Sequence, residues 1–172
     1  GAEWKWLHPV DGVDPEVHEP GFHERFYTSD YDDSAWQTGT ESRWLTGFGY
    51  GDPVAISIGE PASGERNTAY FRARFRTRQN YRGLIFACYR DDGIVVYIDG
   101  KEVARDNMPD APDSYLGTAA AVIGSDAETA MIGIKIPEGL PAGEHVLAIS
   151  VHNASPSSSD LRLGNVRLYG TL

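Results

Sequence analysis

In TAYFRARFRT, residues 68–77, every second side chain is apolar: Phe71, Ala73 and Phe75 fall on one side, Arg72, Arg74 and Arg76 on the other. A period of two is the signature of a β-strand with one face buried. The same beat recurs in HVLAISVHN, where Leu147, Ile149 and Val151 alternate with Val146, Ala148, Ser150 and His152, and in MIGIKI through Ile132, Ile134 and Ile136. Near the end Leu161 and Leu163 are in phase while Val166 and Leu168 have slipped by one, which predicts a bulge near Gly164. GLIFACY and GIVVYID are apolar on both faces and are expected to be central strands covered on both sides. With 19 glycines and 10 prolines in 172 residues, long helices have little room.

Turn signals separate these runs: Asp92-Gly93, Asp99-Gly100, PEGLPAGEH and NASPSSSD. Asp99-Gly100 between VVYI and KEVAR predicts a tight hairpin of the mirror-image turn type. YLGTAAAVIGSDAETA has room for one helical turn, without a cap or an amphipathic stripe. The first 65 or so residues read as one or two strands plus long loops of the same domain, with residues 1–29 loosely structured. The expected fold is all-β: a single antiparallel sandwich with long N-terminal loops, spanning residues 1–172.

Charge narrows the partners. Lys and Arg total 15 against 25 Asp and Glu, a net charge of −10. A protein that tracks a nucleic-acid backbone needs a basic stripe, so this balance argues against nucleic acid and anionic lipid as partners. No apolar run approaches the ~20 residues of a membrane helix, so no insertion is expected. One cysteine, Cys88 in GLIFACYR, excludes an internal disulfide and a Cys-based zinc site and reads as a small residue of a buried strand. The opening GAEWKW has neither a charged n-region nor an apolar h-region, so an export signal was either cut away or never present.

Catalytic signatures are weak. His18, Glu19 and His23 in HEPGFHE suggest a zinc motif, but the histidines are five apart and Pro20-Gly21 breaks the helix the motif requires, which leaves a solvated loop. None of Ser57, Ser63, Ser125 or Ser157–Ser159 lies in a nucleophile elbow, and His152 has no neighbouring nucleophile or orienting partner in sequence. Adjacent Asp91 and Asp92 on an extended chain point to opposite faces and cannot straddle a glycosidic bond. Aromatics concentrate early: Trp4 and Trp6, in phase and core-facing; Trp36, a core anchor; Trp44, Phe48 and Tyr50. Tyr50, flanked by Gly49 and Gly51, has room to present an open ring on which a sugar stacks.

NTAYFRARF, YRDDGIVVYIDGKEVARDNMP, GEHVLAISVHN and SSSDLRL, with YDDSAW and GFGYGD upstream, make the chain similar to jelly-roll modules of the galactose-binding-domain-like superfamily over about residues 30–170. Such modules are accessory domains of large secreted bacterial proteins, akin to the sandwich domains of β-galactosidases. The resemblance implies an antiparallel jelly roll, an extracellular or cell-surface location, and no catalysis. It also implies a monomer whose partners are a neutral carbohydrate polymer or oligosaccharide and the other domains of the parent chain. The ligand site it implies lies in loops at one end of the sandwich: Tyr50 stacking on the ring, Arg90, Arg105, Asn107 and Asn153 bonding hydroxyls, Asp91 or Asp92 accepting from them, with His152 nearby. A structural or protein-interaction spacer with no small ligand is the alternative, and a glycoside hydrolase a third reading.

DDG…VYIDG also resembles the protective-antigen-type lectin domains, whose calcium-dependent adhesins hold the ion between two adjacent aspartates joined by a cis peptide. Carried over, Asp91 and Asp92 would be calcium ligands, with Asn153 a third; the adhesins' calcium loop has no counterpart here. From the residues alone, Asp91-Asp92-Gly93 reads as a hairpin turn, as a turn that also touches ligand, or as a calcium site.

Overall fold

The computed structural model describes residues 2–40, 47–124 and 130–172. Trp44, Ser125 and residues 125–129 of the expected helical turn lie outside them; residues 115–124 contain no helix. Eleven strands are described, β1 Glu3–Leu7, β2 Gln37–Thr40, β3 Phe48–Tyr50, β4 Ile56–Ser57, β5 Thr68–Thr77, β6 Gly83–Asp91, β7 Gly93–Ile98, β8 Lys101–Asp106, β9 Ile132–Ile136, β10 Gly143–His152 and β11 Leu161–Thr171. Two one-turn helices, α1 Pro15–His18 and α2 Phe22–Arg25, fold the HEPGFHE stretch rather than leaving it a plain loop. Among the described residues, the first 65 positions thus hold four short strands, not one or two.

The strands form two facing sheets, ordered β2-β1-β5-β10-β7-β8 and β4-β3-β11-β6-β9. Every strand pairing is antiparallel except β3 with β4, which is parallel. Alternation decides what lies between the sheets. Phe71, Ile94, Val96, Leu147, Ile149 and Val151 of the first sheet meet Phe48, Phe86, Cys88, Leu161 and Leu163 of the second. Each fully buried side chain of this size contributes about 1.5–3 kcal/mol.

GIVVYI is apolar on both faces because both are covered. Ile94, Val96 and Ile98 face the inter-sheet core, while Val95 and Tyr97 join a second cluster on the outer face with Phe22, Phe26, Tyr31, Trp36, Tyr70 and Tyr115. Arg72, outward by alternation, lies under this layer at 1% exposure. Its guanidinium donates to Asp33 Oδ2 at 2.8 Å and to the carbonyls of Phe26 (2.6 Å) and Thr28 (2.9 Å). One arginine thereby anchors the N-terminal segment to the sheet. GLIFACY differs from expectation: Leu84, Phe86 and Cys88 face the core, but Ile85 on the outer face of the second sheet is 41% exposed.

Local turn chemistry follows the sequence. Asp99 (φ 50°) and Gly100 (φ 84°) turn β7 into β8, as a mirror-image hairpin requires, with Ile98 paired to Lys101. The β6–β11 register shifts between Gly164 and Arg167, where the apolar phase slips.

Candidate functional site

Asp91-Asp92-Gly93 is not a hairpin turn. Asp91 closes β6 opposite Arg162 in the second sheet, whereas Gly93 opens β7 opposite His152 in the first. The pair is therefore a step from one sheet to the other, through a cis Asp91-Asp92 peptide. Both residues are buried, at 0% and 1% exposure. Gly93 is required by close approach: a Cβ there would lie 2.6 Å from Asn107 O and 2.7 Å from Met108 Sδ.

The two carboxylates do different things. Asp92 Oδ1 accepts from Ile123 N at 2.7 Å and Oδ2 from Ala154 N at 2.8 Å, so both oxygens hold loop backbone. Asn107 adds to the stitch by donating from Nδ2 to Asp92 O (3.2 Å) and Ala121 O (2.7 Å). Asn153 donates from Nδ2 to Tyr50 Oη (2.8 Å) and Arg66 O (3.1 Å), and its buried Oδ1 has no hydrogen-bond partner among the described residues. Asp91 instead faces Asp52 of the loop after β3 and Asp160 of the loop before β11, with one oxygen from each within 4.8 Å of the others. Gly51 makes this possible. At φ 84° its missing Cβ would fall 2.3 Å from Ser159 O and 2.7 Å from Asp160 Cβ, so only glycine lets the two loops touch.

At an effective dielectric of ~20, two unit charges this far apart repel by about 3.5 kcal/mol. Positive charge must balance such a group. Arg162, 5% exposed, supplies one guanidinium with Nη2 3.9 Å from Asp52 Oδ2. Hard carboxylate oxygens converging from separate loops are also a donor set suited to a calcium-type cation. Asp52, Asp91 and Asp160 fit that role. Asp92 stands apart from that group, its two oxygens accepting from the Ile123 and Ala154 backbone N–H groups.

The other expected ligand residues are only partly gathered here. Tyr50 is 3% exposed, with its ring stacked on His8 at 5.4 Å and the Arg66 guanidinium 5.8 Å from its centroid; it is not an open platform. Its flanking glycines serve backbone approach, since a Cβ on Gly49 would lie 2.0 Å from Leu161 O. Burial pushes the Tyr50 phenol up to about 12. Arg90, 8% exposed, turns to Asp106 Oδ2 at 2.6 Å. Arg105 donates to Pro109 O, Ala111 O and Glu102 Oε1 on the outer face of the first sheet.

His152 is fully buried beneath the loop that follows β8. Its Nε2 lies 2.9 Å from Asp113 Oδ1 and 2.9 Å from Ser150 Oγ, and Nδ1 donates to Gly117 O at 2.8 Å. Burial alone would raise the Asp113 carboxyl; the close His152 ring and hydrogen bonds from Ser150 and Tyr97 outweigh it and hold the group below its ordinary value. Serine, histidine and aspartate are the residue types of a nucleophilic triad, but Ser150 is 0% exposed and donates its proton to Asp113 at 2.7 Å. The network fastens a loop.

Asp52, Asp160, Arg162 and Asp113 were not singled out from sequence. The first three stand inside GFGYGD and SSSDLRL, read there as fold markers; Asp113 lies in an aperiodic loop with no signal.

No protein-family model matches the chain, and no curated protein sequence does. Solved structures do. A Bacteroides uniformis β-glucuronidase 2 aligns over 89% of this chain and 14% of its own, at 18% identity and a TM-score of 0.49. A β-glucuronidase of an uncultured Clostridium covers 99% of this chain and 28% of its own, at 14% identity and a TM-score of 0.47. An epithelial adhesin A domain of Candida glabrata, in complex with β-lactose, covers 99% of this chain and 80% of its own, at 13% identity and a TM-score of 0.34. The chain spans less than a third of either β-glucuronidase.

Proposed function

We propose that this chain is a noncatalytic carbohydrate-binding accessory module of a larger secreted bacterial protein. Neutral glycan is engaged at the end of the sandwich where β6 crosses to the other sheet. The observation that carries this reading is the meeting of Asp52, Asp91 and Asp160 from three separate segments at that end. A calcium-type cation held there would supply Lewis-acid contacts to sugar hydroxyls. The chain's own part is to fix the surrounding loops, through Asp92, Asn107 and Asn153, and to neutralise residual charge through Arg162. A net charge of −10 suits an uncharged polymer better than an anionic one.

A structural spacer is favoured by one observation: most polar atoms of Asp92, Asn107, Arg105 and His152 are engaged within the chain. Affinity electrophoresis through gels of neutral polysaccharides separates the two. The module reading expects retardation on at least one glycan in calcium, relieved by EDTA and by Asp52→Asn. Unchanged mobility across a broad panel, with and without calcium, supports the spacer instead.

A further inference from the structure

The two sheets differ in what lies outside them. Part of the first is roofed by the N-terminal aromatic layer. On the second, alternation turns Phe86, Ile134 and Leu168 inward, so their strand neighbours point out. Register sets those neighbours in two rows across β9, β6 and β11: Lys135–Ile85–Tyr169 and Gly133–Ala87–Arg167. Tyr169 is 56% exposed and Ile85 41%. The second row is low beside them: among the described residues, no heavy atom lies within 4 Å of where a Cβ on Gly133 would stand. An open tyrosine beside a flat floor offers an apolar body and a polar tip, which suits the C–H face and hydroxyls of a sugar ring.

Charge narrows the occupant. The stretches 83–90, 132–136 and 163–171 contain no Asp or Glu, on a chain that has 25 of them. Their cations are Lys135, Arg167 and Arg90, and Arg90 is inward by the same alternation and paired with Asp106. Strand spacing puts Lys135 and Arg167 roughly 12 Å apart at Cα, on the same face. The Debye length is about 8 Å at physiological ionic strength, so at contact these two cations set the sign, not the overall −10. Size narrows it further. Three strands of about five residues cover roughly 240 Å², well below the about 800 Å² per partner of a stable protein interface. A folded partner needs more; an extended polymer does not.

We propose that the outer face of the second sheet binds an acidic glycan, a chain whose sugar rings bear carboxylate or sulfate. One ring lies on the Gly133–Ala87 floor against Tyr169 and Ile85, and the acidic groups reach Lys135 and Arg167. This strip needs no metal and lies outside the group of Asp52, Asp91 and Asp160, so it stands or falls separately from neutral-glycan binding there.

The test titrates the ¹⁵N-labelled full chain, in EDTA, with three hexasaccharides: hyaluronan (carboxylate only), keratan sulfate (sulfate only) and carboxyl-reduced hyaluronan, which keeps the rings without the charge. An acidic sugar is expected to shift the amides of residues 85–87, 133–135 and 167–169 saturably, and the tighter of the two identifies the acidic group. The carboxyl-reduced form should bind about tenfold more weakly than hyaluronan, and salt should weaken the acidic sugars. Lys135→Ser and Arg167→Ser should each cost about fivefold in affinity, as expected of an exposed ion pair. Tyr169→Ala should abolish the saturable shifts. Binding by neither acidic sugar, equal binding of the carboxyl-reduced form, shifts confined to the Asp52–Asp160 end, or unchanged affinity in both serine variants each overturns the assignment. Should Tyr169→Ala fail to fold, the matched sugars on the unaltered chain still decide.

Discussion

Replacing Asp92 and then Asp91 by asparagine perturbs neighbouring carboxylates of the same size and burial, yet the two changes have different expected consequences. Asp92 accepts from two backbone N–H groups, Ile123 N at 2.7 Å and Ala154 N at 2.8 Å. Hydrogen bonds to a charged acceptor contribute about 1.5–3 kcal/mol each. In Asp92→Asn one bond is lost to an amide NH₂ facing another donor, and the second falls from charged to neutral strength. Both hydrogen bonds are only part-buried on their loop side, so the expected loss is about 3 kcal/mol rather than the ~6 kcal/mol upper bound. For a domain of this size that is a midpoint roughly 6–12 °C lower. The loss should be the same in EDTA and in calcium. Asp91→Asn instead removes an oxygen donor from the group with Asp52 and Asp160. Its signature is a lost calcium response: a site held at 100 times its dissociation constant adds about 2.7 kcal/mol, which the variant should not gain. Differential scanning fluorimetry of the unaltered chain and both variants, in EDTA and in excess calcium, reads both effects. Asp92→Asn melting like the unaltered chain, or Asp91→Asn keeping the full calcium shift, refutes the division of labour.

Arg72→Met removes the cation that ties Asp33 and two loop carbonyls to the first sheet, and is expected to cost about 3–5 kcal/mol by urea unfolding, with near-UV signal lost from the outer aromatic cluster. His8, stacked on Tyr50, has its pKa lowered by burial, against which hydrogen bonds to the Ile58 and Gly59 carbonyls work. Its folded value lies below the unfolded ~6.5, so the unfolded chain binds more protons in between and stability should fall as pH drops from about 6.5 toward the folded value. His8→Gln should flatten that limb in urea titrations across this range.

Much of the fold could be read locally. The alternation in β5 and β10, the Asp99-Gly100 turn and the phase slip at Gly164 are short-range signals, and each matches a described element. What sequence did not reveal is non-local. Apolar residues on both faces of β7 indicate cover without saying that Phe22, Phe26 and Trp36, some sixty or more residues earlier, provide it. Asp91-Asp92-Gly93 between apolar runs has the composition of a hairpin turn, and only the partners of each run, His152 for one and Arg162 for the other, reveal a crossing between sheets. Gly49 and Gly51 suggested an exposed Tyr50; they serve instead to bring two loops into contact, which buries the ring and places Asp52 beside Asp160. Three acids from positions 52, 91 and 160 have no shared motif to betray them.

The most direct measurement is an anomalous difference map from crystals soaked in terbium, a trivalent stand-in for calcium. The account predicts one strong peak bounded by the carboxylates of Asp52, Asp91 and Asp160, with Asp92 still bonded to the backbone of residues 123 and 154. A peak ligated by Asp92, or none at this end with Arg162 filling the space between the three acids, would contradict it.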